Sequence, residues 1–389
     1  ELETRQLMSV VNDTPDLTMS GLQTGQRSGV SVTTWGNNVV IGAYLTDIGT
    51  ALDAGAVYIR DASTGALLRT IQKAVPISSD LFGQAVAASA DGCVLVGSPL
   101  DNLGFSDAGA AFLYNGNDGT LFQTFKNPTP ALGDQFGSAV SFVGSQFVLI
   151  GAKGDDSLGL NAGAAYLFNR STAALVATYF NPSPSANDYF GNAVAALGDD
   201  VVIGSYYDDR DGLLRNGAVY IYSGSVIGPT MSPRLVLANP TPATDDHFGI
   251  SLATYGNNIL IGCDGEDKGA IDAGAAYLFD GASGTLLQSF FNPAPAISDK
   301  FGNSVALNAT SALIGAQADD YGVLNGGSAY LFDIATGALT YEFHNRFARS
   351  GDNFGSDVDF MDDGSVLIGA AGDDSAVLDS GAVHRFKFA

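Results

Sequence analysis

Asp134-Gln135-Phe136-Gly137-Ser138-Ala139-Val140 leads to Val148-Leu149-Ile150-Gly151-Ala152, then Gly154-Asp155-Asp156, then Ala162-Gly163-Ala164-Ala165-Tyr166-Leu167-Phe168. After Ala174 to Pro182 the phrase begins again, at Asp188-Tyr189-Phe190-Gly191. The glycines of the Phe-Gly pairs stand at 83, 137, 191, 249, 302 and 355, at intervals of 54, 54, 58, 53 and 53. A degenerate copy without the Phe starts at Ser28-Gly29, 54 residues before Gly83. Self-similarity of this length marks an array of small supersecondary units.

Each unit carries four strand signals. Ala193 to Leu197 and Val201 to Gly204 flank Gly198-Asp199-Asp200, a turn whose residues tolerate positive φ. Ala276 to Phe279 and Thr285 to Phe290 flank Asp280 to Gly284. The first strand is built of small residues and is expected innermost, where units converge; the bulky aromatic strands are expected outside. Four-stranded units repeated about an axis make a β-propeller, with few exposed sheet edges.

The two ends complement each other. Gln6 to Pro15 lines up with Leu121 to Pro128, the last strand of a unit, while the chain ends at Gly381 to Phe388, one strand short. The expectation is therefore an all-β, seven-bladed propeller of four-stranded antiparallel blades, closed by the N-terminal strand completing the last blade. It forms a single domain over 1–389, with residues 1–19 as closing strand and linker and blades starting near 29, 83, 137, 191, 249, 302 and 355. A linear solenoid would instead need polar capping repeats.

Composition narrows the partners. With 41 acidic against 17 basic residues and a formal net charge of −24, the chain is a poor ligand for nucleic acid, which is bound by replacing counterions with Lys and Arg. No run of 18 apolar residues occurs, so membrane insertion is not expected. No basic segment followed by an apolar core opens the sequence, so any signal peptide lies outside it. Cys93 and Cys263 occupy non-equivalent places and are expected free, buried and inert.

The Phe-Gly and Gly-Ala phrases resemble the FG-GAP repeats of the integrin α-subunit head and of many bacterial secreted proteins, over residues from about 29 to 388. The resemblance implies an extracellular or cell-surface propeller, here expected to be monomeric, that binds a protein or glycan ligand on a surface or matrix and often calcium. The integrin calcium loops lie in the first hairpin. Here those turns are as short as Gly144-Ser145-Gln146 and Gly198-Asp199-Asp200, too short to wrap an ion that takes six to eight oxygens.

The acidity instead follows the Gly-Ala phrase of the second strand: Asp155-Asp156, Asp208-Asp209, Asp319-Asp320 and Asp373-Asp374, with variants at Asp101 and Glu266-Asp267. A second recurrent acid precedes Phe-Gly, at Asp80, Asp134, Asp188, Asp246, Asp299 and Asp352. In a propeller both loops open on one face, which is expected to carry a ring of carboxylates. Two readings stand: hard-cation sites, Ca²⁺ above all, or acids accepting backbone N–H bonds in turns. The Asn-Pro-x-Pro segments after the fourth strand read as strand ends, because Pro cannot donate to a ladder.

Function is sought where units differ. The fourth carries Tyr206, Tyr207, Arg210 and Arg215, with an insertion around Ile227 to Pro233; the fifth offers His247; the seventh replaces Asn-Pro-x-Pro by a segment with Arg346 and Arg349; Trp35 lies in the degenerate first unit. Aromatic rings beside acids and amides suit sugar binding. Three scattered His and no Gly-x-Ser-x-Gly or HExxH give catalysis little support. The alternatives to a binding module are a polysaccharide lyase or hydrolase on the same scaffold, and a structural surface-layer protein.

Overall fold

Second and third strands are apolar through their middles, as in Val148-Leu149-Ile150 and Tyr166-Leu167-Phe168, which is what a strand buried on both faces requires. In the computed structural model, which describes residues 10–224 and 232–388, Val148, Ile150 and Ala152 pack toward the preceding sheet with Leu95 and Leu113. Leu149, from the same strand, packs toward the following sheet with Val201 and Ile203. The core therefore lies between sheets, and neighbouring sheets are held together by the alternation of one strand's side chains.

Regular structure among the described residues is all strand, in seven sheets. Six take four antiparallel strands each from the repeats starting at Ser31, Val86, Phe136, Val194, Phe248 and Phe301. In the seventh, Phe354–Phe360, Val366–Ala370 and Ala382–Phe386 are joined by Leu17–Ser20, antiparallel, with Leu17 opposite Arg385 and Ser20 opposite Ala382. First strands touch one another from blade to blade, and Phe354–Phe360 touches Ser31–Trp35. The units thus close into a ring, a seven-bladed propeller rather than a solenoid, with first strands inside. Large rings sit where the wedge widens: Phe125, Tyr179, Phe290 and Phe343, all on fourth strands, are fully buried.

The ring closes through the N-terminal segment, but not through the stretch that the alignment with Leu121 to Pro128 picks out. Val10–Asn12, from within that stretch, pairs in parallel with Leu339–His344 and adds a fifth strand to the sixth sheet; Gln6 to Ser9 lie outside the described residues. The strand that completes the last blade comes later, anchored by Met19, which is buried against Val383, Leu367 and Met361.

The repeated phrases meet in space. Each Gly-Ala phrase docks against the Phe-Gly of the next blade, through parallel bridges such as Gly109 to Phe136, Gly163 to Phe190 and Gly274 to Phe301. Fourth strands end at Lys126, Phe180, Ala238 and Phe291, each directly before an Asn-Pro, as expected. Both cysteines are free and buried. No helix among the described residues is long and apolar enough to cross a membrane.

Candidate functional site

The loop after the second strand and the loop entering the next blade are laced together by their backbones. Asn187, Tyr189 and Phe190 donate amide hydrogens to the carbonyls of Leu160, Asn161 and Ala162, at 2.7, 3.1 and 3.0 Å. Two or three non-glycine residues per junction are held at positive φ to do this: Asn161 (+49°), Asn187 (+67°) and Tyr189 (+52°) in one case, Arg215 (+52°), Asp245 (+67°) and His247 (+62°) in the next. Such residues are uncommon and strained. They form the rim on which the candidate site residues stand.

The acids of the rim are mostly internal. The first acid of each doublet turns inward onto the third strand: Tyr166 donates its hydroxyl hydrogen to Asp155 at 2.5 Å, Tyr330 to Asp319 at 2.6 Å, Tyr277 to Glu266 at 2.9 Å, and Tyr220 to Asp208. His384 replaces the tyrosine in the seventh blade, its Nε2 3.1 Å from Asp373. Burial and the adjoining carboxylate push the Tyr166 and Tyr220 phenols well above their ordinary value, so they act as fixed donors. The second acid braces the strained residue five or six positions on: the amides of Asn161, Arg215, Asn325 and Asp379 donate to Asp156, Asp209, Asp320 and Asp374 at 2.6 to 2.8 Å.

The acid before Phe-Gly is buried at all six junctions that have it. Asn127 donates to Asp134 at 2.7 Å, and Asn181, Asn239 and Asn292 do the same for Asp188, Asp246 and Asp299 at 2.8, 2.7 and 2.7 Å. Desolvation, reinforced by the facing doublet, raises these carboxyls; Asp188 and Asp246 reach about 7 and Asp352 about 6. One junction differs. Lys73 stands in the asparagine's place and bridges Asp80 and Asp101, 2.5 Å from each. In that blade Phe112 replaces the tyrosine, so the ammonium supplies the donor that the hydroxyl would. The ring of exposed carboxylates expected from sequence is thus largely a set of buried braces. Asp155, Asp208 and Asp373 are closed off from solvent, while Asp156, Asp209 and Asp320 are exposed.

These braces decide how well calcium fits. Both oxygens of Asp155 already accept hydrogen bonds, from Tyr166 and from the Ser157 amide, and no group of three or more His, Cys, Asp or Glu suited to a metal occurs among the described residues. The first acids do not fit a resident calcium ion. The exposed second acids could offer an ion only an oxygen or two each.

Four of the seven candidate ligand residues come together. Tyr206 and Tyr207 have ring centroids 4.2 Å apart; His247 lies 5.0 Å from Tyr207; the Arg215 guanidinium sits 5.6 Å over Tyr207 and pairs with Asp245 at 2.6 Å. His247 Nδ1 is 2.9 Å from Asp264. Tyr189 joins the cluster, stacked on Tyr206 at 5.7 Å. Sequence reasoning passed over it, although the slot before Phe-Gly is where units differ: Gln135, Tyr189, His247, Lys300 and Asn353 occupy it in turn. Tyr207, Arg215, His247 and Lys300 line a cavity of about 360 Å³. Arg210 stays apart, its guanidinium 3.5 Å from the Tyr220 hydroxyl. Arg346 and Arg349 line a different cavity of about 540 Å³, with Thr18, Asp352 and His384 at the closing blade. Of the insertion around Ile227 to Pro233, residues 227–231 lie outside the described residues.

Seven four-stranded sheets in a closed ring, with the variable side chains gathered on one loop face, define a repeat-built β-propeller. The FG-GAP repeat family matches residues 77–114, 130–168, 182–222, 237–279 and 295–332, about half of the chain, and the chain belongs to that family. A search of curated proteins finds no match.

Proposed function

We propose that this protein is a binding module, extracellular or surface-displayed, that takes a carbohydrate ligand on its loop face at the junction of the fourth and fifth blades. The observation that carries the reading is the cluster of Tyr189, Tyr206, Tyr207 and His247 beside the Arg215–Asp245 pair. Rings with an apolar face and a polar edge suit sugars, which present C–H faces for stacking and hydroxyls for hydrogen bonds. FG-GAP repeats are typical of extracellular and surface proteins, which supports the setting. Calcium belongs to this proposal only as a weakly held rim ion on the exposed second acids, in the range of about 10⁻⁴ to 10⁻³ M found for extracellular modules. Equilibrium dialysis without bound calcium at those concentrations would remove it.

The paired carboxylates give no separate support to a hydrolase. Asn345 reaches both Asp352 and Asp373, at 3.3 and 3.0 Å, but Asn181 bridges Asp188 and Asp208 in the same way. The pairing belongs to the repeat.

A glycan array tests the proposal. Binding by the intact protein that is lost in Tyr207→Ala and kept in Arg346→Ala supports it. An array without hits, beside a protein ligand whose binding Tyr207→Ala abolishes, turns the same cluster into a protein-recognition site.

A further inference from the structure

The residue just before the strained position of each second-to-third-strand loop is Leu52, Leu160, Leu214, Ile271, Leu324 and Leu378 in six blades, and Ser106 in the second. Its structural work is done by its main chain. Every one of these seven carbonyls accepts an amide hydrogen from the turn entering the next blade, at distances from 2.7 Å at Leu160 to 3.2 Å at Ser106. The side chain is not needed for this latch, because serine makes it too. Yet six of seven blades place Leu or Ile there, with 57 to 62% of the residue exposed, and the second blade exposes Phe105 one position earlier. Exposed Leu132 and Ile297 adjoin the turn residues that latch onto Ser106 and Ile271. Scattered surface leucines need no explanation, but an apolar side chain repeated at each spoke of one face marks a contact surface.

Charge selects the occupant. Asp53 directly follows the crown residue Leu52, the exposed acids Asp156, Asp209 and Asp320 lie in the loops of other crown residues, and the whole chain carries −24. A second copy would bring a face of the same sign against this one, whereas a surface mixing aliphatic and basic side chains would be drawn to it. We infer that this aliphatic crown docks a partner protein that presents apolar side chains flanked by Lys or Arg. The inference rests on the loop face being a binding face, but not on the aromatic cluster or on a sugar.

The test uses the full chain and three amphipathic peptides, of leucine with lysine, leucine with glutamate, and serine with lysine, followed by fluorescence anisotropy. The variant carries Leu52→Ser, Leu160→Ser, Leu324→Ser and Leu378→Ser, which leaves Tyr206, Tyr207 and His247 untouched. The leucine–lysine peptide is expected to bind best, with affinity reduced about tenfold or more in the variant, while the variant's Tm and its glycan binding stay as in the parent. Equal binding of the serine–lysine peptide, or an unchanged affinity in the variant, overturns the crown as a docking surface. Equal binding of the leucine–glutamate peptide, or self-association that the substitutions abolish, overturns the basic partner. A large fall in Tm shows that the leucines are structural and overturns the premise.

Discussion

Gly163 runs backbone to backbone with Phe190, four residues before the next blade's inner strand begins at Val194, so closely that a Cβ on the glycine would stand 2.2 Å from the phenylalanine's carbonyl oxygen. Its φ of +85° adds a conformation that side chains resist. The two phrases that repeat through the sequence are therefore the two halves of one clamp between blades.

Gly163→Ala should lower stability by well over the ~1–2 kcal/mol that positive φ alone imposes on an L-residue, since the neighbour is backbone and cannot swing away. Gly198→Ala is the control: φ is +62° there, and nothing lies within 4 Å of the added carbon. Urea midpoints of the two variants separate strain from clash. Equal losses would mean that the clamp is not tight.

The closing strand gives a deletion test. Among the described residues, removing those up to Asn12 takes away only the parallel fifth strand on the sixth sheet, whose Val10 and Val11 are exposed. Removing the residues up to Ser20 strips the outer strand of the seventh blade, uncovers the buried core around Val383 and removes the Ser20 carbonyl that accepts from Arg60 at 2.9 Å. The short deletion should move Tm little; the long one should leave a chain that melts early or fails to fold. A short deletion as damaging as the long one would show that Val10–Asn12 is the true closure.

Sequence periodicity made the blades, their strands and their closure legible, because alternation and turn chemistry are local. Which N-terminal stretch finishes the last blade is not a local matter: Gln6 to Pro15 aligns with the last strand of a unit, and only the burial of Met19 in the finished ring marks Leu17–Ser20 as that strand. The choice between the two readings of the carboxylates is not legible for a related reason. A doublet such as Asp155-Asp156 looks the same whether it faces water or not, and its inward turn depends on Tyr166, 11 residues away. One signal was present and unread: Asn127–Asp134, Asn181–Asp188, Asn239–Asp246, Asn292–Asp299 and Lys73–Asp80 share a spacing of seven. A constant spacing between an amide and an acid across a Pro-rich turn points to a hydrogen bond within it. The Tyr206–Tyr207–His247 cluster was found because units differ there, although joining residues 40 apart took the fold.

Lys73 and Phe112 should behave as a coupled pair. In the other acid-bearing junctions an asparagine and a tyrosine or histidine serve the two carboxylates; here one ammonium serves both Asp80 and Asp101. Lys73→Asn keeps a donor for Asp80 but leaves Asp101 without its charged partner, and should cost about 3 kcal/mol. Adding Phe112→Tyr restores the arrangement seen at Asn127, Asp134, Asp155 and Tyr166, and should recover about 1 kcal/mol or more. Phe112→Tyr alone, competing with the ammonium, should not stabilise. Additive effects in this double-mutant cycle would show that the two positions do not share a task.

The seam between the last and first blades sets a pH dependence. Asp357 and Asp359 lie on the seventh inner strand, and desolvation pushes each up to about 7, the charge of Asp359 adding to the effect on Asp357. An unfolded chain loses these protons near pH 3.9. Between roughly pH 4 and pH 7 the folded protein holds protons that the unfolded chain has released, so stability falls as pH rises through that window and levels off above it. The repeats supply the substitutions. Ser251 and Ser304 occupy the register of Asp357, Ala253 and Ala306 that of Asp359, and Ser31 accepts the Val86 amide at 2.9 Å just as Asp357 accepts that of Val32 at 2.6 Å. Asp357→Ser with Asp359→Ala should therefore keep the cross-blade bond, raise stability at pH 8 by on the order of 2 kcal/mol, and flatten the fall between pH 5 and pH 8. A residual slope should persist from Asp188, Asp246 and Asp352, whose carboxyls are raised by the same desolvation. Urea midpoints at the two pH values measure both effects, and parallel curves for parent and variant would show that the seam acids are ionised without penalty.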